Sequence, residues 1–255
     1  MDDDHLDIEQ TTVGDERVGR ITLDRPDKLN ALPLSSVERL TERLDDIDGE
    51  SVDAVVLSGR GKNFCAGIDL ADMPDGDAVV EGGAVMHDVV EALRTCPVPV
   101  VTAVQGRAFG AGFMLCLGAD VVLATENATF GLQEVNLGIP IAGYVTKILP
   151  RSIGEHRARE WLLTGREVSA TEAERAGLVA RVTPAESLDD AVTETLTHFE
   201  TSSGLTIRLL KERLADPTDS LEDGEWAPLA ERELADMRKA ADEGDVEERL
   251  STFRD

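Results

Sequence analysis

The chain has 255 residues, of which 42% are hydrophobic, and its 51 acidic and 25 basic residues give a net charge of −26. This length suits one large domain with a sizeable core, and the charge excludes the basic footprint that nucleic-acid binding needs. No apolar run is long enough to span a membrane, and the acidic start at residues 1–5 is unlike a secretory signal, so we expect a cytoplasmic protein.

The acidic residues are spread along the chain and fall on the polar faces of amphipathic segments. We interpret them as a dispersed acidic surface and not as an interaction tail. Such a surface repels itself at low salt and is screened at high salt. We therefore predict a salt-loving source and a melting temperature that rises with KCl concentration; a melting temperature that stays flat or falls would contradict this.

Cysteine and histidine usage is sparse. Cys65, Cys96 and Cys116 are too scattered for a disulfide framework or a zinc site, and the four histidines form no HExxH or triad-like grouping. The motifs GxGxxG at a helix start, GxxxxGK[ST] and GxSxG are also absent. These absences count against a metal centre, a nucleotide-driven enzyme and a serine hydrolase.

The first two thirds of the chain alternate between strands and helices. Hydrophobic patterning predicts strands at 18–23, 54–59, 98–104 and 120–124, with helices at 37–47, at 79–93 and after the glycine turn at 110–112. The continuous apolar run at 54–59 is typical of a strand buried on both faces. Such alternation indicates an α/β fold with parallel pairing and right-handed crossovers.

From about residue 153 the pattern becomes helical. It predicts helices at 157–163, 170–176, 188–199, 204–214 and 221–241, with one extended stretch at 178–182. We divide the chain into a core domain at 1–195 and a C-terminal helical region at 196–255. The amphipathic helices of that region must cover an apolar surface, and a neighbouring subunit is one candidate.

Three segments follow predicted strands and contain small or polar residues. They are residues 63–70, the glycine turn at 110–112 and residues 130–140. Because ligands bind at the carboxyl ends of strands in open parallel sheets, we expect these segments to converge on one site.

The glycine turn opens directly into an apolar helix. Free N–H groups and the positive end of the dipole at such a helix start can hold developing negative charge. Small residues at Ala66, Gly67, Ala111 and Gly112 would let the backbone approach a ligand closely, so two N–H groups could form an oxyanion hole. The alternative, that these residues only form tight turns, is equally supported by the residues alone.

Glu134 is the acid that we single out, because it lies among Phe130, Val135, Leu137 and Ile139. Apolar surroundings raise the pKa of a carboxylate and make it a useful general base or acid. In a chain with 51 acidic residues, an exposed loop glutamate is the alternative.

Seven stretches, taken together, resemble the crotonase (enoyl-CoA hydratase/isomerase) superfamily and run in its order between about residues 8 and 185. They are RPDKLNAL at 25–32, FCAGIDL at 64–70, the glycine turn through Ala119 and Asp120, FGLQEVNLGI at 130–139, LPR at 149–151, LTGR at 163–166 and AERAGLV at 173–179.

The resemblance implies repeated ββα units that form two near-perpendicular sheets, with C-terminal helices that pack into a homotrimer or a hexamer of paired trimers. It also implies acyl-CoA thioester substrates and no cofactor or metal beyond the CoA of the substrate.

The resemblance further implies roles for individual residues. The N–H groups of Ile68 and Ala111 would hold the thioester oxygen, and Glu134 would be the catalytic acid or base. The substrate-binding residues would be Lys28, Leu29, Ala31, Ala66, Gly67, Asp69, Leu70, Gly110 and Met114. Acyl-pocket walls would come from residues 73–86 and 139–148.

Three positions depart from the family pattern. The residue between the flanking glycines is usually glycine and is Ala111 here, which still supplies an N–H donor. Hydratases of the family carry two glutamates, and the first of these positions is Met114, whose thioether cannot hold or deprotonate water. A lysine that often serves the CoA phosphates is Ala71 here, which leaves that task to Arg25 and Lys28.

The departure at Met114 ranks a one-base double-bond isomerase slightly above a hydratase. In a hydratase, Gln133, Asn136 or Tyr144 would have to help Glu134 hold water. A non-catalytic acyl-CoA-binding protein is the third alternative.

Overall fold

The computed structural model describes residues 5–215 and residues 234, 235, 237 and 239. The strands of this part of the chain are β1 Leu6–Val13, β2 Glu16–Leu23, β3 Ala54–Gly59, β4 Val100–Val104, β5 Arg107–Phe109, β6 Val121–Thr125, β7 Thr129–Gly131, β8 Val168–Ser169 and β9 Arg181–Thr183. The α-helices are α1 Leu34–Asp45, α2 Gly76–Thr95, α3 Ala111–Gly118, α4 Val145–Ile153, α5 Glu155–Thr164, α6 Ala170–Ala176, α7 Leu188–Glu200 and α8 Gly204–Ala215.

The larger sheet has six strands in the order β1-β2-β3-β4-β6-β9. Strand β1 pairs with β2 in the antiparallel sense, and every other neighbouring pair is parallel. The α/β fold with parallel pairing that the sequence predicts is therefore confirmed. Crossovers that carry helices explain why parallel strands can be buried on both faces.

Helices cover both faces of this sheet. Val55 and Leu57 of β3 belong to the core cluster that includes α1, α2 and α3, whereas Ala54 and Val56 pack with α7 on the other face. Because successive side chains of a strand point to opposite faces, covering both faces makes the strand apolar throughout. All five residues of β4 are buried for the same reason.

The smaller sheet has the order β5-β7-β8, with β5 and β7 parallel and β7 and β8 antiparallel. Its strands contain only two or three residues each, and the sequence pattern did not predict them. This sheet positions the site, because it ends beside the glycine turn: the Gly110 N–H donates to Gly131 O at 2.9 Å.

Most of the predicted helices are present, and α6 has the predicted bounds. The sequence pattern did not predict α4 or strand β1. The predicted helix at 221–241 lies largely outside the described residues. No helix among the described residues is long and apolar enough to cross a membrane.

The described part of the predicted C-terminal region packs onto the core. Helix α7 runs across the proposed boundary at residue 195, and the buried Lys211 of α8 donates to Leu93 O at 3.3 Å and Val98 O at 3.0 Å. Lys211 also forms an ion pair with Asp120. These contacts fix α8 at the C-terminal end of α2; the division into two regions stays a prediction.

Candidate active site

One cavity of about 300 Å³ lies where the three segments selected from the sequence meet. Residues 66–70 come after β3, and residues 133–142 come after β7. Residues 109–114 run from the end of β5 into the first turn of α3. Helix α2 supplies the remaining wall. Nearly all of the lining is apolar or backbone, as is usual for a small-molecule site.

The first two segments are tied together by their backbones. The Cys65 N–H donates to Arg107 O, and the Phe109 N–H donates to Cys65 O, both at 2.9 Å. Gly67 and Ala111 meet closely as a result, because a Cβ built on Gly67 would lie 4.0 Å from Ala111 N. The predicted approach of these two segments is therefore present in the structure.

The peptide of Ile68 is fixed by its neighbours. The Leu32 N–H donates to Gly67 O at 2.9 Å, and the Asp69 N–H donates to Leu32 O at 2.8 Å. In a parallel ladder, the N–H of the residue between two such bonds points away from the partner strand. The Ile68 N–H is therefore directed away from Leu32, on a residue that lines the cavity.

Ala111 is the first residue of α3, and no side chain caps that helix start. Its N–H is among those that a helix cannot satisfy internally, and the positive end of the helix dipole adds to its attraction for an anion. Ile68 and Ala111 thus line one cavity, and each has a backbone N–H that its own β-bridge or helix does not engage.

The glycines of the turn are required by both backbone conformation and packing. Gly110 has φ 51° and ψ −116°, which an L side chain rarely adopts, and a Cβ there would lie 3.2 Å from Glu134 Oε1. A Cβ on Gly112 would lie 2.4 Å from Cys65 O. The tight-turn interpretation and the oxyanion-hole interpretation of these glycines are therefore compatible, because the packing that requires glycine also brings the backbone of the two segments close together.

Glu134 lies at the start of a short 3-10 turn, Glu134–Leu137, and its side chain is half-buried. Its Oε2 is buried and has no hydrogen-bond partner within the described part of the chain. Burial raises the pKa of this carboxyl group above its ordinary value. Among the described residues that line the cavity, Glu134 alone has an ionisable side chain.

Met114 is buried on α3, one turn after Ala111, and lines the same cavity. A Cβ on Gly143 would lie 3.0 Å from Met114 Sδ, so the sulfur is held by the segment that enters α4. A thioether is only a weak acceptor and cannot act as a base. The position therefore adds apolar surface to the cavity and no proton-transfer group.

The structure separates the three polar residues that were candidates for holding water. Gln133 lines the cavity beside Glu134. Asn136 instead donates from Nδ2 to Gly165 O at 3.3 Å, and the Tyr144 hydroxyl donates to Glu91 Oε2 at 3.2 Å. Neither Asn136 nor Tyr144 is among the residues that line the cavity.

The residues expected to bind substrate fall into two groups. Ala66, Gly67, Leu70, Gly110 and Met114 line the cavity itself, whereas Lys28, Leu29, Ala31 and Asp69 do not. The latter group belongs to a rim beside it, where the Ala66 N–H donates to Leu29 O at 3.1 Å.

The buried Asn30 fixes this rim. Its Nδ2 donates to Arg60 O at 3.0 Å and to Asn63 O at 2.7 Å, while its Oδ1 accepts from the Arg25 N–H at 2.9 Å. Leu29 on this rim is 38% exposed and Leu70 of the adjoining cavity lining is 59% exposed, so apolar surface is available at the cavity mouth.

Arg25, which we expected to serve the CoA phosphates, has a partner on the rim. Its Nη1 lies 2.5 Å from Asp69 Oδ2, and this guanidinium lowers the pKa of the Asp69 carboxyl group. The ion pair already neutralises Arg25, so the geometry favours a structural role for it.

The wall opposite the glycine turn comes from the stretches expected to form it. Met73, Val79, Gly82, Gly83 and Met86 contribute from one side, and Ile139, Pro140 and Ala142 from the other. The sequence pattern did not predict that Cys65 packs against the glycine turn, where a Cβ on Gly112 would lie 2.8 Å from Cys65 Cβ. Its place inside the FCAG stretch was the available signal, but a lone cysteine in a strand-to-loop segment indicated nothing about its contacts.

Within the described residues, no group of three or more His, Cys, Asp or Glu side chains is gathered in a way that could hold a metal ion.

Known proteins that are similar to this chain identify its family. A family model described as enoyl-CoA hydratase/isomerase matches residues 14–248. The Mycobacterium bovis protein named "Probable enoyl-CoA hydratase echA8" is 37% identical over 202 residues, which cover 78% of this chain and 77% of that protein.

Solved structures are similar over nearly the whole chain. An enoyl-CoA hydratase from Bacillus anthracis has a TM-score of 0.89 at 30% identity, covering 98% of this chain and 96% of that one. A Thermobifida fusca protein solved in complex with CoA has a TM-score of 0.80 at 28% identity, covering 92% of this chain and 94% of that one. The chain therefore has the crotonase fold and belongs to the enoyl-CoA hydratase/isomerase family.

Proposed function

We propose that this enzyme moves the double bond of an enoyl-CoA thioester, with Glu134 as its single acid and base. The observation that carries the proposal is the composition of the cavity lining. Glu134 is the one ionisable side chain among its described residues, and Met114 occupies the position where a second acid would hold water.

The thioester oxygen would accept hydrogen bonds from the Ile68 and Ala111 N–H groups. As the proton on the carbon next to the carbonyl leaves, negative charge develops on that oxygen. Fixed N–H donors stabilise this charge, and each contributes about 3–4 kcal/mol of transition-state stabilisation in comparable sites.

Glu134 would carry the proton. Its carboxylate takes the proton from the α carbon of a 3-enoyl thioester, and the resulting carboxylic acid returns it to the γ carbon. The double bond moves from position 3 to position 2, and no water or redox partner is consumed. A raised pKa suits this cycle, because the group must both accept and release a proton near neutral pH.

The CoA portion would lie along the rim beside the cavity mouth. The exposed Leu29 and Leu70 offer apolar surface there, and the exposed Lys28 carries positive charge on the same rim. The CoA complex of the Thermobifida fusca neighbour supports this class of ligand. Because Arg25 is paired with Asp69, we assign the phosphate contact to Lys28 alone.

Hydration is the second candidate, favoured by the hydratase names of the relatives. In that reaction Glu134 would need a partner to hold water, and Gln133 is the polar neighbour that the cavity supplies. A non-catalytic acyl-CoA binder would keep the cavity and show no turnover.

Purified protein in high KCl, supplied with a 3-enoyl-CoA and separately with a 2-enoyl-CoA, distinguishes the three. Isomerisation produces the ultraviolet absorbance of the conjugated thioester from the 3-enoyl substrate. Loss of that absorbance from the 2-enoyl substrate, with no gain from the other, would replace the isomerase by a hydratase. Binding of both without turnover would leave the non-catalytic protein.

We also propose a homotrimer, alone or paired into a hexamer. A second apolar groove lies on the outer side of Glu134, lined by Leu132, Val135, Ile139, Ile141, Leu162 and Leu163 among others. Leu163 is 74% exposed in the isolated chain, and covering such a groove with a second copy would remove apolar surface from water. Light scattering after size-exclusion chromatography tests this, and a monomer at micromolar concentration would overturn it.

A further inference from the structure

Cys65 lies next to both halves of the proposed oxyanion hole and is not part of the cavity lining. The Gly67 N–H donates to Cys65 Sγ at 3.4 Å, and the thiol lies 3.7 Å from Gly67 O as a donor. The Gly112 N–H lies close enough to this sulfur to lower the pKa of the thiol, against the larger effect of burial, which raises it. Gly67 directly precedes Ile68, and Gly112 directly follows Ala111.

The neighbouring backbone packs tightly against Cys65. A Cβ on Gly112 would lie 2.8 Å from Cys65 Cβ, and the Phe109 N–H is held by Cys65 O at 2.9 Å. Cys65 therefore lies between two backbone segments that both contact the residue, and interiors packed this closely transmit small shifts.

Cys65 itself takes no part in the chemistry. Its side chain is fully buried and is absent from the lining of the cavity, and burial raises the pKa of the thiol to about 12. A neutral, enclosed thiol is neither a nucleophile nor a proton carrier near neutral pH.

We propose that Cys65 is a positioning residue that sets the spacing of the Ile68 and Ala111 N–H groups, because its side chain hydrogen-bonds to Gly67 and packs against Gly112. The proposal rests on the oxyanion hole of the proposed function. If the sulfur is removed, the two segments lose their shared contact and relax independently. A displacement well below 1 Å is enough to misalign donors that must meet one oxygen atom.

Substitution separates this role from simple packing. Cys65→Ala removes the shared contact and is expected to lower kcat about 10- to 100-fold while KM changes about threefold or less. Cys65→Ser keeps a donor and an acceptor at the same atom and is expected to recover most of that loss. A merely structural role would lower the melting temperature in both variants without this difference in kcat.

Cys116 provides a matched control. It is also a buried thiol, on α3, but the Gly67 N–H donates to Cys65 and not to Cys116, which has Thr102 beside it. Cys116→Ala should therefore lower stability by a similar amount and leave kcat within about twofold of wild type.

The decisive measurement is the carbonyl stretching frequency of a bound, carbon-13-labelled saturated acyl-CoA thioester, recorded by difference infrared spectroscopy. We expect binding to wild type and to Cys116→Ala to lower this frequency equally, with a smaller change for Cys65→Ala and an intermediate one for Cys65→Ser. Equal changes in all four proteins would overturn the role of Cys65 while keeping the oxyanion hole. No change in wild type would overturn the oxyanion hole, and with it this proposal.

Discussion

The two sides of the cavity are built in opposite ways. On the side of the proposed oxyanion hole, residues 63–70 and 107–114 are cross-linked by backbone hydrogen bonds and packed so closely that a Cβ on Gly112 would overlap Cys65 O at 2.4 Å. On the side of the third segment, Glu134 lies at the start of a short turn whose Val135 and Leu137 are exposed.

The difference follows from what each side has to do. Donors that stabilise developing charge must already be in place, and redundant backbone contacts hold them there. A general base instead needs a shifted pKa, and burial raises the pKa of Glu134. Its Oε2 is buried and has no hydrogen bond inside the described residues. Rigidity on one side and an unsatisfied carboxylate on the other are complementary halves of one proposed site.

Removing the Glu134 carboxylate tests the general-base side of the site, and this change should have the largest effect. Glu134→Gln keeps the size of the side chain but removes the base, so we expect turnover of the 3-enoyl substrate to fall about 10²- to 10⁴-fold. Affinity for a saturated acyl-CoA should change little, because the N–H donors and the rim are intact. Equilibrium binding and steady-state kinetics measure both, and full activity in this variant would remove Glu134 from the mechanism.

Adding a methyl group at Gly110 tests the side of the site that contains the proposed oxyanion hole. Gly110→Ala forces a side chain onto a backbone with φ 51° and places it 3.2 Å from Glu134 Oε1. We expect kcat to fall about 10²- to 10³-fold as a donor shifts, with about 1–3 kcal/mol less stability from backbone strain.

Gly76→Ala is the matched control for that change, since nothing lies within 4 Å of its Cβ. It should leave kcat unchanged within error. If both variants kept full activity, the turn would not need its present conformation for catalysis, and the contrast between the two sides would fail.

The pH dependence of kcat/KM tests the general-base side of the site through the pKa of Glu134. The carboxylate must be ionised to take a proton, and burial raises its pKa, so the acid limb of kcat/KM should lie above the usual glutamate range and fall about tenfold per pH unit. A limb at or below the ordinary glutamate value would contradict the raised pKa.

The same shift makes a prediction about stability. A carboxyl group with a raised pKa stabilises the fold when protonated, and this contribution is lost as pH rises from the ordinary to the raised value. Glu134→Gln should therefore melt at a higher temperature than wild type at neutral pH, and the two melting temperatures should converge in acid.

The smallest expected effect is a gain of hydratase activity. Met114→Glu places a second carboxylate on the rigid side, one turn after Ala111, where water could be held between it and Glu134. We expect hydration of a 2-enoyl-CoA to rise about tenfold over wild type, below the 10²- to 10⁴-fold of a well-placed base. Met114→Gln is the control, since it adds polarity without a base, and equal rates in both variants would show that pocket geometry excludes hydration.

Much of the fold could be predicted because its central elements carry their own periodicity. The apolar run of β3 and the amphipathic helices α1, α6 and α7 were recognisable without any neighbour. Strand β1 is mostly exposed and lacks alternation, and α4 contains Pro150, so neither had a local signal. The short strands β5, β7 and β8 exist because they pair with one another.

The sequence by itself determined the class of fold and predicted the three segments that line the cavity, because glycine turns and apolar runs are local patterns. It made Glu134 a candidate acid and left an exposed loop glutamate as the alternative. Tertiary structure alone decided which groups meet. It left Gln133 in the cavity while engaging Asn136 and Tyr144 elsewhere, and paired Arg25 with Asp69. It also enclosed Cys65 behind the glycine turn, because contacts between distant segments depend on how sheets and helices pack and not on the residues next in the chain.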